Sequence, residues 1–240
     1  MRPSGETIAY CRYPGEAPVL LVHGFGSNSS DTWDATGWLR TLADAGRGAV
    51  TVDLRGHGAS SKPHDVAAYR PSVLADDLVA VLDAEGLDAV DVMGYSMGSQ
   101  ISRALVAGAP ERARRLVLGG VGSHEQLRSW GVEAIHRVLI EGVDAEDATA
   151  TTVLRAAASG PGADREALAA CALGVASEEP PTDLLPMPTL VAVGETDPLS
   201  AGADALARAL GAGFVSIPKR NHVTTLSARA FKGAVLDFLG

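Results

Sequence analysis

The 240-residue chain has only two cysteines, Cys11 and Cys171, only three lysines, and no apolar run approaching the ~18 residues that cross a bilayer. Two distant cysteines cannot form a disulfide framework, so nothing calls for an oxidising compartment and both thiols are expected to be reduced and inert. The first fourteen residues carry no apolar segment of a secretory signal, and a soluble, cytoplasmic protein is expected. Basic residues are in deficit, 20 Lys+Arg against 29 Asp+Glu for a net charge of -9. That balance repels phosphate backbones and anionic membranes and excludes both as expected partners. What is present, 46% hydrophobic and 20% charged residues, is the composition of a folded globular chain.

Short apolar, β-branched runs recur at 6–13, 18–23, 49–54, 90–95, 115–120, 189–194 and 214–218, and predict seven strands. Several are almost continuously apolar, such as Val19-Leu20-Leu21-Val22, the pattern of parallel strands covered by helices on both faces. Helical stretches at about 37–45, 72–85, 96–107, 203–210 and 227–239 alternate with them. The fold class that follows is α/β, a doubly wound, mostly parallel sheet. The alternation stops between 121 and 186, where three helical patterns (125–140, 144–158, 164–175) stand in place of strands. Residues 1–120 and 187–240 are therefore expected to form the core and 121–186 a helical insertion. Pro180-Pro181 and Pro186-Met187-Pro188 would lead back to the sheet as extended backbone.

The strongest chemical signal is Gly94-Tyr95-Ser96-Met97-Gly98, placed between a strand and a helix. A tight turn there would present Ser96 at the carboxyl edge of the sheet, above a helix N-terminus whose free N–H groups suit a developing oxyanion. A serine hydroxyl needs a base, and the base needs an orienting group. Asp197 follows the strand at 189–194 and His222 follows the strand at 214–218, so both fall at the same sheet edge as Ser96. A second oxyanion donor is available after the strand at 18–23, where His23-Gly24-Phe25-Gly26 turns sharply and aims the Phe25 N–H at Ser96. His23 itself, ending a buried strand, is read as a hydrogen-bonded structural histidine.

Together with Asp53-Leu54-Arg55-Gly56-His57-Gly58 and Gly194-Glu195-Thr196-Asp197, these motifs resemble the α/β-hydrolase superfamily over nearly the whole chain outside the insertion. The resemblance implies Ser96 as nucleophile, His222 as general base and acid, Asp197 as orienting carboxylate, backbone N–H groups of Phe25 and Met97 as the oxyanion hole, and 121–186 as a lid. It implies hydrolysis of a small carboxylic ester, with carbon–carbon bond, lactone or peracid chemistry, or a non-catalytic ligand receptor, as alternatives. Two departures stand out. Seven strands are legible where the family core has eight, so the first edge strand is expected to be missing, and Ser99 occupies a position where many relatives carry glycine.

Other signals lead nowhere. The turn after His23 lacks the third glycine of a dinucleotide site, with Ser29 in its place, and Asp53 and Arg55 are read as holders of the loop at 55–60. His124-Glu125 lacks the second histidine of a zinc helix, so neither metal nor cofactor is expected. Asp144, Glu146 and Asp147 are read as capping an insertion helix. Phe25, Met97, Leu199 and one or more of Trp33, Trp38 and Trp130 are candidates for an apolar pocket, and the oligomeric state is open.

Overall fold

A computed structural model describes residues 5–179, 183 and 185–240. Seven strands, β1 (Tyr10–Tyr13), β2 (Glu16–Val22), β3 (Arg47–Val52), β4 (Val90–Tyr95), β5 (Ala113–Gly119), β6 (Thr189–Gly194) and β7 (Gly213–Ile217), form one sheet in the order β1-β3-β2-β4-β5-β6-β7. All neighbours are parallel except β1, which pairs antiparallel with β3 at the edge. This is an α/β sheet, doubly wound, as the apolar runs predict.

Strands with both faces covered alternate their side chains between two cores. Val19 and Leu21 of β2 point to a core shared with α1 (Trp38–Asp44) and α9 (Arg229–Leu239), centred on Trp33, Trp38 and Phe231. Leu20 and Val22 point to the opposite core, shared with α2 (Pro71–Ala84), α3 (Met97–Gly108) and α7 (Ala203–Leu210). Two fully shielded ion pairs brace the sheet periphery. Arg47 pairs with Asp91, and Arg55 donates through Nε to Asp77 Oδ2 at 2.7 Å.

The chain leaves β2 toward β3 on one side, while β4 lies on the other side of β2, so the direction of winding reverses between β2 and β4. Ligands of open α/β sheets bind at such a reversal, outside the carboxyl ends of the strands. Val22, which ends β2, pairs with Gly94 of β4, and the loop after β2 and the turn after β4 therefore emerge side by side.

Between β5 and β6 lie α4 (Gln126–His136), α5 (Ala148–Ala158) and α6 (Arg165–Ala176). Each opens on an acidic cap: Glu125, Asp147 and Asp164 accept hydrogen bonds from first-turn backbone N–H groups. The acidic cluster at 144–147 thus supplies one cap, Asp147, while Asp144 accepts from Arg155 Nε at 2.6 Å. The continuous helix expected over 125–140 is interrupted. Gly131 takes φ 76° and ψ 167°, outside the helical region, and a wider π-turn over Arg137–Glu141 follows. Pro180 and Pro181 lie outside the described residues. Among the described residues no helix is long and apolar enough to cross a membrane.

Candidate active site

The turn between β4 and α3 holds Ser96 at φ 55° and ψ -123°. A non-glycine residue there is strained by about 1–3 kcal/mol and persists only where its surroundings fix it. The surroundings are backbone. A Cβ at Gly94 would lie 2.3 Å from the Gly98 carbonyl oxygen, and one at Gly98 would lie 2.1 Å from that of Val22. Only glycine permits this approach at either position. Ser99, the departure noted in the sequence, is fully buried and its hydroxyl lies 3.0 Å from the Gly94 and 2.8 Å from the Gly119 carbonyl oxygens. It ties the turn to β5. The Ser96 N–H also bonds Gly119, at 2.8 Å.

Asp197 opens a 3-10 turn, Pro198–Ser200, just beyond β6. Its side chain is fully buried, Oδ1 accepts from the Leu199 N–H at 2.9 Å, and Oδ2 accepts from Ser200 Oγ at 2.6 Å and from His222 Nδ1 at 2.8 Å. Burial pushes the carboxyl pKa up, but the hydrogen bond and charge of His222, with the Ser200 and Leu199 donors, outweigh it and hold the group below its ordinary value. A carboxylate only accepts, so the proton of a neutral His222 sits on Nδ1 and Nε2 is left as a base.

The sequence placed His222 after the strand at 214–218 and outside every predicted helix, whereas it is the first residue of a short helix, α8 (His222–Leu226). Asn221 caps that turn, accepting from the Val223 and Thr224 N–H groups, and Thr224 Oγ1 accepts the Asn221 N–H. This capping box was legible in Asn221-His222-Val223-Thr224 as the signal for a helix start. Tyr95 reaches over from the residue before Ser96: its hydroxyl donates to the His222 carbonyl oxygen, and the two rings lie 5.3 Å apart. Gly120 touches the other side, where an added Cβ would stand 3.0 Å from His222 Cε1. The His222 ring is bonded to Asp197, and among the described residues no hydrogen bond joins it to Ser96 Oγ.

The loop after β2 lies against the nucleophile candidate, since a Cβ on Gly24 would come within 3.1 Å of Ser96 Cβ. Neither the Phe25 nor the Met97 N–H has an acceptor among the described residues. Two buried histidines hold the loop. His23 Nδ1 lies 2.8 Å from the Gly24 carbonyl oxygen and its Nε2 accepts the Leu54 N–H at 3.0 Å. His57 Nδ1 lies 2.8 Å from the Arg55 carbonyl oxygen and its Nε2 accepts the Gly26 N–H at 3.0 Å. Each ring therefore donates through Nδ1 and accepts through Nε2, which requires both to be neutral. Burial lowers both pKa values, that of His57 to about 3. Asp53 completes the framework by accepting the N–H groups of Ser29 and Ala59, both at 2.9 Å.

A cavity of ≈ 40 Å³ opens beside Ser96, walled by Phe25, Met97, Leu199 and, from the insertion, Leu127, Trp130 and Val153. Trp33 and Trp38 do not reach it; both are fully buried in the core below the sheet, 6.4 Å apart, with Trp38 against Phe231. Gln100 and Glu125 also line the cavity; the sequence reading passed over Gln100 and weighed Glu125 only as part of a zinc motif. Gln100 stands one helical turn after Ser96, which was the available signal. A Cβ on Gly26 would meet that of Ala157 at 2.2 Å, so α5 packs directly on the loop that carries Phe25. Among the described residues no group of three or more His, Cys, Asp or Glu side chains is placed to hold a metal ion.

Residues 17–140 match the family described as alpha/beta hydrolase fold. The 2-hydroxymuconate semialdehyde hydrolase of Pseudomonas sp. (strain CF600) is 33% identical over 120 residues, 49% of this chain and 41% of that protein. The rhodomycin D methylesterase of Streptomyces sp. (strain C5) is 40% identical over 111 residues, 45% of this chain and 36% of that protein. The matched segment thus spans well under half of either relative. Among solved structures, a thermophilic esterase from Thermogutta terrifontis superposes with a TM-score of 0.81 at 27% identity, covering 100% of this chain and 95% of that one.

Proposed function

The chain belongs to the alpha/beta hydrolase fold family, and on that footing we propose that it is a serine hydrolase of small carboxylic esters. The observation that carries this is the His222–Asp197 hydrogen bond at the rim where strained Ser96 meets the cavity. Ser96 Oγ attacks the ester carbonyl while His222 Nε2 takes its proton, and Asp197 holds the imidazole in the required tautomer and stabilises its charge. The Phe25 and Met97 N–H groups, without acceptors of their own, receive the oxyanion, and the α3 N-terminus adds a favourable dipole. The intermediate collapses as His222 protonates the leaving alcohol. Water activated by the same nitrogen then cleaves the acyl-enzyme and restores Ser96.

Residues 121–186 act as a cap in this proposal: Trp130 and Val153 close the cavity from outside the sheet. Few aromatic side chains and a small cavity favour a short acyl group over a long one. The similarity to the semialdehyde hydrolase favours a second reading, in which the same triad hydrolyses a carbon–carbon bond.

Hydrolysis of p-nitrophenyl esters from acetate to laurate, beside 2-hydroxymuconate semialdehyde, separates the two. Ester turnover peaking at short chains supports the esterase. Turnover of the semialdehyde with only a stoichiometric p-nitrophenol burst supports carbon–carbon hydrolysis, and saturable binding without turnover of either contradicts both in favour of a receptor.

A further inference from the structure

Ser200 is buried and closes the 3-10 turn that Asp197 opens. Its Oγ stands 2.6 Å from Asp197 Oδ2, the same oxygen that takes His222 Nδ1 at 2.8 Å, while Oδ1 takes the Leu199 N–H at 2.9 Å. A carboxylate only accepts, so the Ser200 hydroxyl is the donor. The Asp197 side chain is fully buried, and a hydrogen bond there acts at full strength because water does not compete for it. The turn itself is anchored on both sides of Ser200. Gln126 Nε2 donates to the Leu199 carbonyl oxygen at 3.4 Å, and the Ser123 N–H donates to that of Ala201 at 3.0 Å.

Two donors on one oxygen share its charge. The Ser200 bond draws negative charge on Oδ2 toward itself and leaves less of it for the imidazole. The Leu199 N–H fixes Oδ1 and the Ser200 hydroxyl fixes Oδ2, so the plane of the carboxylate is set on the Asp197 side of the pair. The other groups around the ring are backbone or neutral. Tyr95 faces it from the turn after β4, its buried phenol held protonated, and Gly120 faces it from the end of β5. Lys219 and Arg220 precede it on its own loop, where Glu195 accepts the Lys219 N–H at 2.8 Å. A general base that must also return its proton works best when neither form is held too strongly.

We propose that Ser200 is a positioning residue, whose hydroxyl orients the Asp197 carboxylate and draws charge from Oδ2, and so sets how readily His222 takes and returns a proton. Its meaning for catalysis rests on the serine hydrolase reading above. Without the hydroxyl, Oδ2 keeps its charge for the imidazolium, and on the Asp197 side the Leu199 N–H alone holds the carboxylate. The protonated form of His222 is then favoured and gives up its proton only at higher pH. The acid limb of kcat/KM moves up with it, and a carboxylate free to rotate lowers kcat by letting the ring drift.

The test compares the wild-type chain with Ser200→Ala and Ser200→Thr. The pH midpoint of the His222 Cε1–H resonance, identified by its absence in His222→Gln, is followed by NMR without substrate, and kcat and KM for p-nitrophenyl acetate are measured over the same range. Ser200→Ala should raise the midpoint and the acid limb by about half a pH unit and lower kcat by about threefold to tenfold with little change in KM. Ser200→Thr keeps the hydroxyl and should restore both. A midpoint that is unmoved or lowered in Ser200→Ala, or raised as much in Ser200→Thr, overturns the proposal. If Ser200→Ala fails to fold, Ser200→Cys, close in size but a weaker donor, should raise the midpoint, and an unmoved one overturns the proposal in the same way. Ester turnover with an unmoved midpoint overturns this inference alone. No turnover by the wild-type chain, with a midpoint that responds to Ser200→Ala, overturns the serine esterase reading and leaves the link from Ser200 to His222 standing.

Discussion

Tyr95 donates its hydroxyl to the backbone carbonyl of His222, linking the residue before the candidate nucleophile to the candidate base. Burial first, and the charge of Asp197 next, push the phenol pKa up, so the donor stays protonated throughout the working range. Its ring packs 6.1 Å from that of Phe231 and needs no hydroxyl for that contact. Tyr95→Phe should therefore keep the fold and let the short α8 helix shift. We predict a fall in kcat of about tenfold to a hundredfold with little change in KM. Steady-state kinetics on p-nitrophenyl acetate checks this, and an unchanged kcat contradicts a positioning role.

Asp197→Asn keeps the size of the carboxylate and can still accept the Leu199 N–H through its amide oxygen, while its amide nitrogen, in the place of Oδ2, donates to Ser200 Oγ. It removes the charge that favours the imidazolium and allows the wrong tautomer of His222. The rate should fall by roughly three to four orders of magnitude, with folding measured by denaturant little affected. A loss of less than tenfold would show that the 2.8 Å contact is structural.

The sign of the acid response follows from His57. Its pKa is pushed from the ordinary 6.5 to about 3 by burial and by the neighbouring His23, so between these values the unfolded chain binds a proton that the folded chain does not. Stability therefore rises with pH across that window and is lost on acidification below 6.5, by about 1.4 kcal/mol per pH unit from this group. Urea unfolding at pH 7, 6, 5 and 4 should show a shallower slope in His57→Gln than in the wild-type chain. Equal slopes would contradict the neutral, buried His57.

Much of the sheet was legible because β4 and β6 are apolar runs closed by glycine or aromatic turn residues, and their bounds match the sequence prediction residue for residue. Asp197 and His222 were placed at one edge by their positions after strands, and the hydrogen bond between them agrees with that placement. The cavity wall was another matter. Trp33, Trp38 and Trp130 are indistinguishable as sequence signals, yet two lie beneath the sheet and one lines the cavity above it, because the packing of α1 against α9 places the first two and the docking of α4 places the third. Gln100 reads as an ordinary polar helix residue until Glu125 is brought against it from 25 positions away. The kink at Gly131 and the turn at His222 are short-range features, carried by one glycine and one asparagine cap, that a periodicity argument over longer windows passes over.

Gly98→Ala isolates the cost of the turn. The new methyl group would fall 2.1 Å from the Val22 and 2.6 Å from the His23 carbonyl oxygens, both backbone atoms. The end of β2 and the start of α3 must part, at about 1–3 kcal/mol, and the Phe25 N–H moves away from Ser96. A lower urea midpoint with a large loss of activity is the expected result. Unchanged stability would mean that the approach of α3 to β2 is looser than the structure describes.

The central claim, that Ser96 is the nucleophile, is tested most directly by trapping it. Incubation with a fluorophosphonate followed by intact-protein and peptide mass spectrometry should give one adduct, on the peptide that contains Ser96, and none in Ser96→Ala. An adduct that persists in Ser96→Ala, or a wild-type chain that hydrolyses esters while remaining unlabelled, would contradict it.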